Sequence, residues 1–448
     1  MLGLYSGLMR MVQPLLRRKM AKRALQEPGY GVSVEERFGR YTHRAETSSE
    51  LVWVHAVSLG ETRTAAILLR ALRQQHPGLR MLLTHGTATG RAEGQALLQP
   101  GDVQVWQAWD THVVVERFFE HFKPRLGLLM ETEVWPCTVA NAKARGIPLI
   151  LINGRLSEKT LHQALALSPL AYPAYSALTA VYAQTAADAK RYRQLGVDMG
   201  TGATGVFGNL KFDATPSPSL QATGKAWRHA WQQVVAQPVV MFASSREGEE
   251  ALFLEEIKAV AQQKHTRTAT DSIANNSTAV KYLIVPRHPQ RFDEVAALIV
   301  QHGLTLSRRS SWSGSPSDSQ EDMHADIWLG DTLGEMPLYY ALSDVALLGG
   351  SFEKLGGQNL IEAAACGCPV VMGPHTFNFS EAAELAEAAG AALRVADITT
   401  GLQQAVELAN DHERQIDCAQ HGLAFAAAHQ GATDRTLQAL TPYLSGKT

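Results

Sequence analysis

Cysteine is scarce: Cys137, Cys366, Cys368 and Cys418 are the only four in 448 residues. So few, so scattered, they exclude a disulfide framework, and the C-x-C spacing of Cys366 and Cys368 is not the C-x-x-C of zinc or redox sites. A reducing compartment is expected. Net charge is nearly absent as well, since 41 basic against 43 acidic residues leave −2. No global field therefore recruits nucleic acid or another polyanion. H-E-x-x-H, Walker A and G-x-S-x-G sequences do not occur, which removes the main support for zinc-protease, P-loop and α/β-hydrolase readings. Gly200, Gly202 and Gly205 formally match G-x-G-x-x-G. They follow a helix end, RYRQLGVDM, and lead into a strand-like segment, whereas a dinucleotide fingerprint closes a strand and opens a helix.

What is present is a folded composition, 45% hydrophobic and 19% charged, with length for two or three domains. The first 26 residues are unusual in holding Arg10, Arg17, Arg18, Lys19, Lys22 and Arg23 before the first acid, Glu27. Ahead of this cluster the pairs Leu4/Tyr5, Leu8/Met9, Met11/Val12 and Leu15/Leu16 recur at helical spacing and define an apolar face. Arg10 and Pro14 break the stretch well short of the roughly 20 apolar residues that span a bilayer, and a signal peptide carries its charge before the apolar run. Two readings stand: an interfacial helix with a basic collar for anionic lipid, and an ordinary packed N-terminal helix.

Beyond it, short apolar runs alternate with helical stretches. LVWVHA, RMLLTHG, RLGLLME and PLILING come first, then, after a Pro/Ser-rich stretch DATPSPSLQAT, PVVMFASS, KYLIVPRHP, DIWLGD, DVALLGG and PVVMG. This βα repetition predicts α/β folding with mostly parallel sheets covered on both faces. The expected division is an N-terminal segment over 1–26, a first domain over 27–212, a linker over 213–236, a second domain over 237–425 and a C-terminal helix over 426–448. Polar inserts around 262–278 and 308–326 read as surface loops of low functional interest.

Several strand-end loops carry polar residues that packing does not require. VHAVSLGET places Glu61 in the first turn of a helix, where the dipole favours an ionised carboxylate; it is a candidate general base, though complementing the charge of the helix end is the commoner role of such a residue. Glu131 and Glu133 in LMETEVWP stand where open α/β sheets bind ligands, one expected to be functional and the other merely a solvated neighbour. Arg155 of INGRLS and Lys211 of GNLKFD add cations. In the second domain, IVPRHPQRF offers Arg287 and His288. LGDTLGEMP opens a helix at Gly334, Glu335 and Met336, with backbone N–H groups suited to an anion. In the Gly-rich stretch GGSFEKLGGQNLIE, the glycines permit close backbone approach to a ligand and Glu362 is placed to bond a ribose diol. Tight turns alone would explain the glycines but not the clustered Asn359, Glu362, His375, Asn378 and Glu381.

Taken in order, WVHAVSLGET, LMETEVWP, INGRLS, GNLKFD, ASSREGEE, VPRHPQRF, GDTLGEMPLYY, GGSF and MGPHTFNF resemble the 3-deoxy-D-manno-octulosonic acid (Kdo) transferases of lipopolysaccharide synthesis. The resemblance runs from the N-terminal segment to about residue 400 and no single motif bears it. It implies the GT-B type, two Rossmann-like domains facing a cleft, with the lipid A precursor on the first and CMP-Kdo mainly on the second. It further implies metal-independent inverting transfer without a cofactor, at the cytoplasmic side of the inner membrane; no nucleic acid is expected from the charge balance, and no protein partner can be inferred.

By the same resemblance Glu61 is the base, and Glu131 and Lys211 stabilise the transition state. CMP contacts fall to Pro286, Arg287, Gly334, Glu335, Met336, Asn359, Leu360, Ile361 and Glu362. Ser58, Gly60 and Arg155 are acceptor-side candidates. The sequence departs from the family pattern at Arg246, where many relatives have His, and at Gln358 and Leu360, where many have His and Pro. Two alternatives stand beside it: a related GT-B sugar-nucleotide transferase or epimerase, and a non-catalytic sugar-nucleotide-binding membrane protein, which would have no need to keep Glu61, Glu131 and Lys211 together.

Overall fold

The computed structural model describes residues 1–199, 204–267 and 280–444, which form two compact units, 1–213 with 429–448, and 214–428. Gly200 and Gly202 of the glycine run, and most of the insert around 262–278, lie outside the described residues.

The first unit is a parallel sheet of seven strands: β1 (Val52–His55), β2 (Met81–His85), β3 (Val103–Trp106), β4 (Leu126–Met130), β5 (Leu149–Gly154), β6 (Ala180–Ala183) and β7 (Gly205–Val206), in the order β3-β2-β1-β4-β5-β6-β7. Its strands read as near-continuous apolar runs because both faces are covered, and successive residues serve opposite faces. Trp53, Leu82, Leu129 and Leu151 point into one core with Phe118, Phe119 and Phe122 of the helix His112–Phe122. Val52, Val54, Leu83, Leu128 and Ile150 point into the other with Leu68, Leu69 and Leu72 of the helix Leu59–Gln75. The C-terminal helix, Ala432–Leu444, closes that second face through Leu437, Leu440 and Leu444, so the chain's end completes the first unit's core.

The N-terminal helix, Leu2–Ala24, divides the apolar doublets between two faces. Leu2 and Tyr5 pack on the first core and Met9, Val12 and Leu16 are half-buried, whereas Leu4, Leu8, Met11 and Leu15 are exposed, at 76, 56, 72 and 63%. The single apolar face expected from spacing is therefore a docked stripe beside an open one. Arg17 leaves the basic collar to pair with Glu35, while Arg18, Lys19, Lys22 and Arg23 stay exposed. Among the described residues no helix is long and apolar enough to cross a membrane.

The second unit repeats the design with β8 (Val239–Ser245), β9 (Lys281–Pro286), β10 (Leu306–Arg308), β11 (Ile327–Leu329), β12 (Val345–Leu348), β13 (Val370–Met372) and β14 (Ala392–Arg394), ordered β10-β11-β9-β8-β12-β13-β14 and all parallel. Two stretches differ from expectation. Within 213–236, expected as a linker, Ser217 accepts from Leu220 N and Pro218 occupies the first turn of a 17-residue helix, Pro218–Val234; Ser at the cap and Pro at the first position are helix-start signals as much as linker composition. Trp231 of this helix is fully buried and meets Trp328 edge-on at 4.8 Å. The polar insert 308–326, expected as a loop, contains the end of edge strand β10 and a short helix, Gln320–His324, and buries Trp312, whose indole donates to Ser307 at 2.7 Å.

Candidate functional site

In each sheet the strand order reverses between two neighbours, and such a switch point opens a crevice at the strands' carboxyl ends. In the first unit the pair is β1 and β4, in register from Val52 opposite Leu126 to His55 opposite Leu129. Glu61 follows β1, and Glu131 and Glu133 follow β4.

Ser58 caps the helix Leu59–Gln75: its hydroxyl accepts from Glu61 N at 3.3 Å, and Glu61 returns the contact, Oε2 accepting from Val57 N at 2.7 Å and Oε1 from the Ser58 hydroxyl at 3.2 Å. This reciprocal box holds the carboxylate in one orientation and leaves Oε1 the less engaged oxygen. Gly60 is exposed in the same turn. Burial first, then the neighbouring Glu133 and Glu131 charges, push the Glu61 carboxyl up to about 7, against the pull of Val57 N–H and His55. A carboxyl titrating there is matched to proton transfer at neutral pH.

Glu131 is buried and sits at φ +55°, left-handed backbone that is strained for a side chain of this size. Its N–H donates to Ile152 O at 2.9 Å, and its carbonyl accepts from Arg155 N at 3.2 Å and the Tyr192 hydroxyl at 3.3 Å, so the surroundings over-determine the conformation. The carboxylate meets Lys211 Nζ at 3.2 Å and Arg155 at 3.9 Å. Lys211 is placed by its own loop: Asn153, itself at φ +54°, accepts from Leu210 N at 3.0 Å, and Asn209 accepts from Lys211 N at 3.0 Å. Glu61, Glu131, Lys211, Ser58 and Arg155, separated by up to 153 positions in the chain, thus come to one end of one sheet.

One participant escaped sequence reasoning. His55, the last residue of β1, is buried, bonded through Nδ1 to Thr84 at 2.8 Å and facing Glu133 with Nε2 at 3.7 Å. Burial alone would raise the Glu133 carboxyl, but His55, the Trp135 indole at 2.8 Å and Thr132 together hold it below the usual carboxylate range. Glu133 is therefore a fixed negative charge beside Glu61, a larger part than the solvated neighbour expected. A histidine inside the apolar run VWVH was the available signal.

In the second unit the switch lies between β8 and β12, and the expected nucleotide residues all fall at carboxyl ends. Pro286 is buried at the end of β9, and Arg287 follows it, donating to Gln358 Oε1 at 3.0 Å. The departure at Gln358 thus touches a candidate phosphate ligand directly. Leu360 and Ile361 are buried in the helix Leu360–Ala365, which Asn359 caps by accepting from Ile361 N at 3.1 Å; Glu362 is in its first turn and half-buried. Leu360 and Ile361 therefore have only backbone to offer a ligand. Gly334, at φ +81°, makes the turn into Glu335 and Met336. Glu335 is gripped by Thr332 and by Arg309 at 3.0 Å, so the insert expected to be a surface loop of low functional interest supplies a cation to this turn.

Beneath these loops Glu249, fully buried, accepts from Arg246 N at 3.1 Å, Gly350 N at 2.7 Å and Phe352 N at 3.2 Å, tying the loop after β8 to the glycine pair after β12. Arg246 itself pairs with Glu247 at 2.9 Å. Among the described residues no group of three or more His, Cys, Asp or Glu is arranged to hold a metal.

A family model described as 3-deoxy-D-manno-octulosonic-acid transferase (kdotransferase) matches residues 32–214. The 3-deoxy-D-manno-octulosonic acid transferase of Bordetella pertussis is 46% identical over 99% of both chains, and that of Haemophilus influenzae is 30% identical over 98% of both. Among solved structures, UDP-GlcNAc 2-epimerase from Neisseria meningitidis aligns over 88% of this chain and 100% of its own with TM-score 0.55 and 15% identity. A glycosyltransferase from Rickettsia africae aligns over 90% of this chain and 100% of its own with TM-score 0.54 and 11% identity. At these identities the likeness is one of fold, two Rossmann-like α/β units of the GT-B class.

Proposed function

Because the chain belongs to the 3-deoxy-D-manno-octulosonic acid transferase family and is a glycosyltransferase, we propose that it moves Kdo from CMP-Kdo to a hydroxyl of the lipid A precursor in lipopolysaccharide synthesis, with inversion and without a metal. The acceptor hydroxyl gives its proton to Glu61 as its oxygen bonds to the anomeric carbon of Kdo. The bond from that carbon to the CMP phosphate oxygen breaks, and CMP leaves with the electron pair. Arg287 and the backbone of the Gly334–Met336 turn meet the nucleotide, Glu362 the ribose, and Lys211 with Glu131 the charge that develops in the transition state. The observation that carries this reading is Glu61, oriented by its capping box and tuned to about 7, beside the Glu131–Lys211 pair. Mass analysis of a tetra-acylated lipid A precursor incubated with CMP-Kdo tests it; transfer from a UDP-sugar but not from CMP-Kdo would overturn it.

Donor binding has its own test. Loss of a charged hydrogen bond costs roughly 1.5 to 3 kcal/mol, so Arg287→Ala and Glu362→Ala should each weaken CMP binding about tenfold to a hundredfold in calorimetry. Wild-type affinity in both would place the nucleotide elsewhere.

The acceptor is a lipid, and the open stripe Leu4, Leu8, Met11 and Leu15, followed by exposed Arg18, Lys19 and Lys22, suits a helix lying on an anionic surface at the cytoplasmic face of the inner membrane. Each basic residue contributes about 1 kcal/mol at such a surface. Replacing Arg18, Lys19 and Lys22 by Ser should lower flotation with anionic vesicles by on the order of a hundredfold in partition at low salt, and much less at high salt, where the charges are screened.

A further inference from the structure

The N-terminal helix does more than present a surface. Its inner face grips a short segment of the first unit at two points: the Ser6 hydroxyl accepts from His112 N at 2.9 Å, and Met9 O accepts from the Trp109 indole at 3.2 Å. Between them lies Asp110, a buried carboxylate toward which Tyr5 turns its hydroxyl. Asp110 spends both oxygens on one target, the start of the helix Pro136–Ala144: Oδ2 accepts from Cys137 N at 3.0 Å, and Oδ1 from Thr138 N and the Thr138 hydroxyl, both at 2.8 Å. These are donors that the helix's first turn leaves without an intrahelical partner. The residue immediately before that helix is Trp135, whose indole holds Glu133, and the same loop begins at the strained Glu131. The N-terminal helix is thus bonded to the segment 109–112, and Asp110 within that segment is bonded to the start of the helix that directly follows the loop carrying two carboxylates of the site.

We propose that Ser6 and Trp109 clamp Asp110, and that Asp110 is a positioning residue for the transfer reaction: it fixes the start of the helix Pro136–Ala144 and thereby the place of Glu131 and Glu133 relative to Glu61. The membrane-facing helix is on this account part of the scaffold of the site and not a detachable anchor. The inference rests on the reading of these carboxylates as parts of the transfer site.

The test leaves Asp110 in place, because its removal strands buried N–H groups and endangers folding. Ser6→Ala combined with Trp109→Phe removes both grips while keeping shape, and Ser6→Thr restores a hydroxyl acceptor. Single turnover is measured in detergent with micellar acceptor, so that membrane binding does not limit the rate, and amide hydrogen exchange is followed across residues 131–140. The double variant is expected to exchange about tenfold faster in that stretch, the scale of one or two lost hydrogen bonds, and to turn over about tenfold more slowly. The rising limb of its pH–rate profile should shift to lower pH as the Glu133 charge drifts from Glu61. Ser6→Thr should behave as wild type.

Unchanged exchange across 131–140 in the folded variant overturns the clamp, and so does faster exchange with unaltered rate and pH profile. Should the double variant not fold, Ser6→Ala alone is read by the same measurements. A wild-type chain that transfers no Kdo would sink the reaction assignment instead, and the exchange measurement would still decide the clamp.

Discussion

Glu61→Gln is expected to slow single-turnover Kdo transfer by about 10² to 10⁴, the usual contribution of a general base, while CMP affinity stays near wild type. The substitution separates the proposed base from the helix cap that the same side chain provides. Glu61 closes a capping box with Ser58 and Val57 N, and a glutamine carbonyl can still accept from Val57 N–H, so the helix start is retained and only the base is lost. A near-normal rate in Glu61→Gln would remove Glu61 from the mechanism and leave Glu131 as the next candidate base.

The pH profile sharpens the same test. The base must be unprotonated, so with the Glu61 carboxyl raised to about 7 the rate should climb as pH rises through about 7 and level off above it; in Glu61→Gln that limb should vanish. The charged and titratable groups that set this value are Glu133, Glu131 and His55. Glu133 stays ionised because His55, Trp135 and Thr132 hold it. Glu133→Gln should therefore move the limb to lower pH and leave the rate above pH 8 close to wild type. An unmoved limb in that variant would mean that burial and Glu131, and not Glu133, raise Glu61.

What could be read from the sequence follows from which interactions are local. Parallel strands covered on both faces announce themselves as apolar runs, and LVWVHA, RLGLLME and PVVMFASS are all strands; Glu61 is legible because a first-turn carboxylate is a local signal. The edge strands Leu306–Arg308 and Ala392–Arg394 carry Ser and Arg where the equally short central strands are wholly apolar, and the helix Pro218–Val234 is masked in the sequence by Ser and Pro residues that mark a helix start and a linker alike. Partnerships across long separations left no trace in spacing. His55 with Glu133, Arg309 with Glu335 and Asp110 with Thr138 are set by strand order and loop packing. The N-terminal helix shows the same limit from the other side: doublets at helical spacing reveal an apolar helix, but only the position of the first core decides that Tyr5 faces in and Leu4 faces out.

Lys211→Ala and Glu131→Gln should each lower single-turnover transfer by about 10² to 10³, the scale of removing one preorganised group that meets charge in the transition state. Their combination should fall short of the product of the two losses. The physical reason is the 3.2 Å ion pair between Lys211 and a Glu131 carboxylate whose side chain is 8% exposed. Removing either member leaves its partner charged in a site that burial makes costly, and the orphan then seeks other partners: Glu131 turns to Arg155, already 3.9 Å away, and Lys211 loses the neighbour that aims it. Part of each single loss is thus misplacement of the survivor, and the double variant does not suffer it twice. Lys211→Arg keeps the charge but not the compact ammonium that fits beside the strained Glu131 backbone, and should fall between wild type and Lys211→Ala. Strictly multiplicative losses in the double variant, with CMP affinity and thermal midpoint unchanged in all three, would show that the two residues act separately, and the ion pair would then be a structural tie and not a catalytic unit.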